Sequence, residues 1–165
     1  MPLLDQNQKH LVTFELNGKE RSASAEPRML LSDFLRREIG LSGLHVGCEH
    51  GVCGCCTIQV DGKLARSCMM YAVQITNRKV TTVEGLADSD GELSKLQAAF
   101  KRHHALQCGY CTTGILISAK HFLEENSDPS EDEVRDMLSG HICRCTGYTG
   151  MVKAILDVAK NMDSK

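Results

Sequence analysis

Residues Cys48–Cys56 read CEHGVCGCC, and Cys68 lies further along the chain. Together Cys48, Cys53, Cys56 and Cys68 spell C-x4-C-x2-C-x11-C. This is the spacing of plant-type [2Fe–2S] ligation, in which four thiolates hold two irons. Zinc sites, the simpler use of four thiols, tend to pair one C-x2-C with another, and x4 followed by x2 departs from that pattern. Gly47, Gly51 and Gly54 supply the conformational freedom a cluster loop needs. Positive φ at such positions turns backbone N–H groups toward the sulfurs. Using Cys55 in place of Cys56 breaks the spacing, so Cys55 reads as a small non-ligand side chain pointing away from the cluster. Cys48-Glu49-His50 has the C-x-H form of a Rieske centre, but no later C-x2-H completes one. His45 and His50 therefore read as loop residues near the cluster.

Around this loop the pattern is mostly β. His10 to Leu16 alternates, with Val12, Phe14 and Leu16 on one face, and Asn17-Gly18 is a hairpin turn. Arg21 to Ala25 is the expected return strand. Leu31, Phe34, Leu35 and Ile39 predict a helix over Met29 to Ile39, stopped by Gly40. Thr57 to Val60 and Lys63 to Arg66, joined by Asp61-Gly62, predict a second hairpin, and Val80 to Val83 a further strand. Two hairpins, one helix and a metal loop fit a β-grasp ferredoxin module.

Ala87 to Glu92 is polar and turn-rich, which sets the boundary between a domain of residues 1–86 and one of residues 87–165. The second part is helical. Leu93, Leu96 and Phe100 share a face, as do Ile115, Ala119 and Phe122. Ser130 is the expected N-cap of a third helix, with Glu133 completing a capping box. Met151, Ile155, Val158 and Met162 are in register on a fourth, from about Thr149. Four such helices make a bundle, so the fold class is α+β. The bundle carries the second thiol set, Cys108, Cys111, Cys143 and Cys145, spaced C-x2-C-x31-C-x-C. One pair begins a helix and the other precedes one, and helix N-termini suit an anionic cluster. Spacing alone leaves this set open to iron or zinc.

Composition excludes several function classes. Aromatics are 4% with no Trp, and the net charge is −2, so neither a base-stacking platform nor a basic nucleic-acid footprint is present. Nine cysteines in a secreted chain would suggest disulfides. The count is odd, and Met1 to His10 lacks the apolar core of a signal peptide. Arg36-Arg37 sits too far inside the chain for an export signal, and no apolar run approaches a membrane span. A cytoplasmic location is expected. No G-x-G-x-x-G follows a strand, and no nucleophile–base arrangement is recognisable. Glu84, Asp88, Asp90, Glu124-Glu125 and the acidic stretch Glu131 to Asp136 read as exposed charges, and His103-His104 as a solvated helix end.

Three motifs in order, Gly47–Thr57, Gln107–Thr112 (QCGYCT) and Cys143–Tyr148 (CRCTGY), resemble the small iron–sulfur subunit of the molybdenum hydroxylases. That family includes xanthine oxidase, aldehyde oxidoreductase and carbon monoxide dehydrogenase. The resemblance spans roughly residues 9 to 160. Thr113 stands where the family usually has Pro, Cys55 where Ala or Ser is usual, and His141 where Asn is common. The resemblance implies iron in both thiol sets and an electron wire. Substrate would be oxidised at a molybdenum–pterin cofactor in a large partner subunit. Electrons would then pass through the helical-domain cluster and the ferredoxin-like cluster to FAD in a medium subunit. It also implies that Gln107 and Cys145 lie against the pterin, and that the assembly is a dimer of heterotrimers. N-heteroaromatics, aldehydes, purines or carbon monoxide are the substrates implied, with a lean to N-heterocycles. A free-standing two-cluster carrier and a zinc-stabilised interaction module are the competing readings.

Overall fold

The structure, a computed structural model, describes residues 4–87 and 91–161. Asp88, Asp90 and Met162 lie outside the described residues. The N-terminal half is a mixed sheet of β1 (His10–Leu16), β2 (Lys19–Ala25), β3 (Thr57–Val60), β4 (Lys63–Arg66) and β5 (Lys79–Thr81), in the order β2-β1-β5-β3-β4. Only the central β1–β5 pair is parallel. Asn17 and Gly18 both take positive φ, so Leu16 pairs directly with Lys19 and β2 begins two residues earlier than expected. β5 ends earlier than expected because Thr82 leaves the sheet. Its N–H donates to Asn17 Oδ1 (2.9 Å), and Val83–Gly85 form a 3₁₀ turn.

The expected first helix is shorter and wider. One α-turn, α1 (Leu31–Asp33), opens into a π-helical turn over Phe34–Glu38, closed by Ile39 N–H to the Phe34 carbonyl (3.1 Å). Met29 and Leu30 stay extended because they bond across to Ala72 and Tyr71. Leu31, Phe34 and Leu35 are fully buried under the sheet against Val12, Phe14, Ile58 and Ile75.

The C-terminal half packs α2 (Lys95–Arg102), α3 (Thr112–Glu125), α4 (Glu131–Ser139) and α5 (Thr149–Lys160) around Phe100, Ile115, Val134, Met151 and Ile155. Ser130 and Glu133 form the expected capping box, and Ser94 with Gln97 forms another at α2. Leu93 therefore precedes the helix and is exposed instead of sharing its face. Phe122 is half-buried. His103 caps the end of α2 and contacts Asp157 of α5 through Nε2 (2.9 Å), so it is more than a solvated helix end. Val83, Leu86 and Cys55 belong to this helical core. Glu84 is exposed but engaged, accepting from Gly43 N–H (2.9 Å) and the Thr82 hydroxyl (2.6 Å).

Candidate metal centres

The first thiol set lies on the loop between the π-turn and β3, and closes at the 3₁₀ turn Ser67–Met69 after β4. Glu49, Gly51 and Gly54 adopt positive φ, which coils the loop around its own thiols. Cys56 and Cys68 are buried, while Cys48 and Cys53 are half-buried. Backbone N–H groups of Cys53 (3.4 Å) and His50 hold the Cys48 thiol down at about 6. Burial, reinforced by the Cys56 thiol, pushes Cys68 up to about 11. One thiol of the set is thus ready to ionise near neutrality, and thiolates are the metal-binding form.

The second set is drawn from two loops. Cys108–Cys111 forms the turn into α3, with Cys111 as the N-cap residue, one step earlier than helix proper. Cys143–Cys145 lies just before α5, whose own N-cap residue Tyr148 takes positive φ. The Cys145 and Cys108 thiols are 3.6 Å apart and exposed. Cys111 is buried beside Cys143, and burial then that neighbour push it up to about 12. Burial works against ionising Cys143, but the Thr146 hydroxyl and N–H (3.2 and 3.4 Å) outweigh it and lower its pKa. Each set therefore contains four thiols, one of them biased toward thiolate, with backbone N–H groups aimed at sulfur. That donor chemistry fits [2Fe–2S] clusters. Among the described residues, no three His, Cys, Asp or Glu side chains converge as for a single metal ion.

The two loops meet. Ile142 N–H donates to the Cys53 carbonyl (2.9 Å), one residue before Cys143. A Cβ on Gly114 of α3 would overlap the Gly54 carbonyl oxygen, so only glycine lets α3 come this close. Cys55 turns into the helical core, where burial and then the Cys53 thiol push it up to about 12. His141 is buried, bonded through Nε2 to Ser118 Oγ (2.8 Å), with Nδ1 against Gly54. Burial and then the Arg66 charge pull its pKa down to about 4. Arg66 also donates to the Gly140 carbonyl (2.8 Å). His45 Nδ1 contacts the Tyr110 carbonyl (3.0 Å). Gln107 lies exposed beside Cys108, and Arg144 is exposed between Cys143 and Cys145.

Sequence reading misses Arg66, Tyr110 and the buried setting of His141. Their partners Gly140, Val46 and Ser118 lie 74, 64 and 23 positions away, and no local pattern marks them.

Residues 14–79 match the model of a "2Fe-2S iron-sulfur cluster binding domain", and residues 82–156 that of a "[2Fe-2S] binding domain". The nicotine 6-hydroxylase small subunit of Paenarthrobacter nicotinovorans is 51% identical over 93% of this chain and 92% of its own. The chain belongs to the small iron–sulfur subunits of the molybdenum hydroxylases. The caffeine dehydrogenase subunit gamma of Pseudomonas sp. (strain CBB1) is 48% identical, with 91% of each chain covered. Quinoline 2-oxidoreductase from Pseudomonas putida 86 superimposes with a TM-score of 0.89 at 51% identity, covering 92% of this chain and 93% of that one. The subunit thus carries two [2Fe–2S] domains and serves electron transfer in an oxidoreductase complex. The family's molybdenum cofactor and FAD reside in partner subunits. No described helix is long and apolar enough to cross a membrane.

Proposed function

We propose that this subunit carries electrons from the molybdenum–pterin centre of a large partner to FAD in a medium partner. The second thiol set would receive them and the first pass them on. Cys48, Cys53, Cys56 and Cys68 are the ligands assigned to one cluster, and Cys108, Cys111, Cys143 and Cys145 those of the other. The observation that carries the reading is the exposed Cys108–Cys145 pair, 3.6 Å apart beside the exposed Gln107. A ligand pair open to a partner suits an electron port, and Gln107 with Cys145 is assigned to the pterin side. The domain division is set at residues 1–86 and 87–165. Two relatives are named for nicotine and caffeine and a third for quinoline, so an aromatic N-heterocycle is the substrate class assigned. The complex is read as a cytoplasmic dimer of heterotrimers.

The test is purification of the chain with its partners from the native host. Iron at about four per chain, two for each cluster, with molybdenum, FAD and reduction of iron by an added N-heterocycle, is the expected result. Iron without molybdenum or partners means a free electron carrier, and zinc in place of iron overturns the redox reading.

A further inference from the structure

Tyr110 stands between two thiols of the second set, yet its side chain belongs to the first loop. Its ring stacks on His45, with centroids 4.6 Å apart and planes 14° from parallel. Its hydroxyl donates to the Val46 carbonyl (2.7 Å), and its own carbonyl meets His45 Nδ1 (3.0 Å). The ring edge also borders Gly47, where a Cβ would lie 3.8 Å from Tyr110 Cε1 and 3.1 Å from Cys53 Sγ. Three contacts thus tie the Cys108–Cys111 turn to the residues just before Cys48. Past Cys53, the other end of that loop is held separately by Ile142 N–H on the Cys53 carbonyl and by His141 against Gly54. Tyr110 is 45% exposed, so the ring is not a core element whose loss unfolds the domain.

We propose that His45 and Tyr110 form a clasp that registers the second thiol set against the first, and so fixes the coupling between the two clusters. This rests on the two-cluster reading above. Both are positioning residues: neither touches a reacting atom, and both act through the two loops that carry the thiols.

The test uses the whole complex with His45→Phe, Tyr110→Phe and Tyr110→Leu. The first two keep an aromatic pair and each delete one hydrogen bond; the third deletes the stack. Iron content and the two separate EPR signals first establish that both clusters are present. Amide exchange and the magnetic splitting between the two reduced clusters then report the clasp. His45→Phe is expected to quicken exchange at residues 108–111 by about fivefold, the population change from losing one net hydrogen bond. Tyr110→Phe does the same at residues 46–48, and Tyr110→Leu loosens both segments and diminishes the splitting. Exchange that changes only on the substituted side, or a splitting unaltered in Tyr110→Leu with full iron, overturns the clasp. A wild-type complex lacking one signal instead overturns the two-cluster reading, while the exchange result still judges the clasp.

Discussion

The first thiol set is folded by its own loop, whereas the second is assembled across the 31 residues that separate Cys111 from Cys143. In the first, consecutive positive-φ turns bring Cys48, Cys53 and Cys56 together within nine residues, and β4 returns Cys68 to close it. In the second, α3 and α4 must run out and back before Cys143 reaches Cys111. The outcomes also differ at the surface. The first set buries Cys56 and Cys68, while the second leaves Cys108 and Cys145 exposed. A local loop makes a protected site; a junction of helix ends makes an open one. An electron carrier that must meet a partner gains from having one of each.

The largest expected effect separates the two sites directly. Cys56→Ala and Cys108→Ala should each lower iron by about half, each removing one EPR signal and leaving the other. Loss of both signals from Cys108→Ala would break the comparison, because it would make the local loop dependent on the non-local site. Cys56→Ala should also cost more thermal stability, since Cys56 is buried and Cys108 is not.

A smaller effect tests the seam between the sites. Gly114→Ala sets a methyl against the Gly54 carbonyl, so α3 must retreat from the first loop. Overpacking of this kind costs about 1–3 kcal/mol, read as a lower midpoint in thermal or denaturant unfolding. An unchanged midpoint would mean that the loop yields without cost.

The smallest effect is confined to the sheet. Asp61 in the β3–β4 turn accepts from Lys79 N–H (2.8 Å) and from Arg78 Nε (2.6 Å), and these two lower its pKa. A carboxylate held below its ordinary value stabilises the fold above the unfolded pKa, and that stabilisation is lost as pH falls through the folded value. Asp61→Asn should therefore melt lower than the parent at neutral pH, and the gap should close in acid. Melting curves across that pH range check it; a constant gap would assign the effect to something other than charge.

Much of this molecule is legible locally. The Asn17-Gly18 and Asp61-Gly62 turns, the alternation of β1 and the Ser130–Glu133 cap are encoded within a few residues, and each forms where its residues predict. The failures share a cause. The apolar spacing at Leu31–Ile39 reads as a plain helix, but Met29 and Leu30 are taken by Tyr71 and Ala72, leaving a short, widened turn. Val80–Val83 reads as a strand, but Asn17 claims the Thr82 N–H. In each case a partner distant in sequence outbids the local preference.

The sequence by itself determined the two thiol sets, the ferredoxin-like sheet and the helical half, because cysteine spacing, turn glycines and apolar periodicity act over short range. The tertiary structure alone decided how the halves meet. Arg66 on Gly140, His141 against Gly54 and Tyr110 on His45 each join residues 65 to 87 positions apart. Such contacts depend on the shape left between two folded surfaces, and no single stretch of chain holds that information.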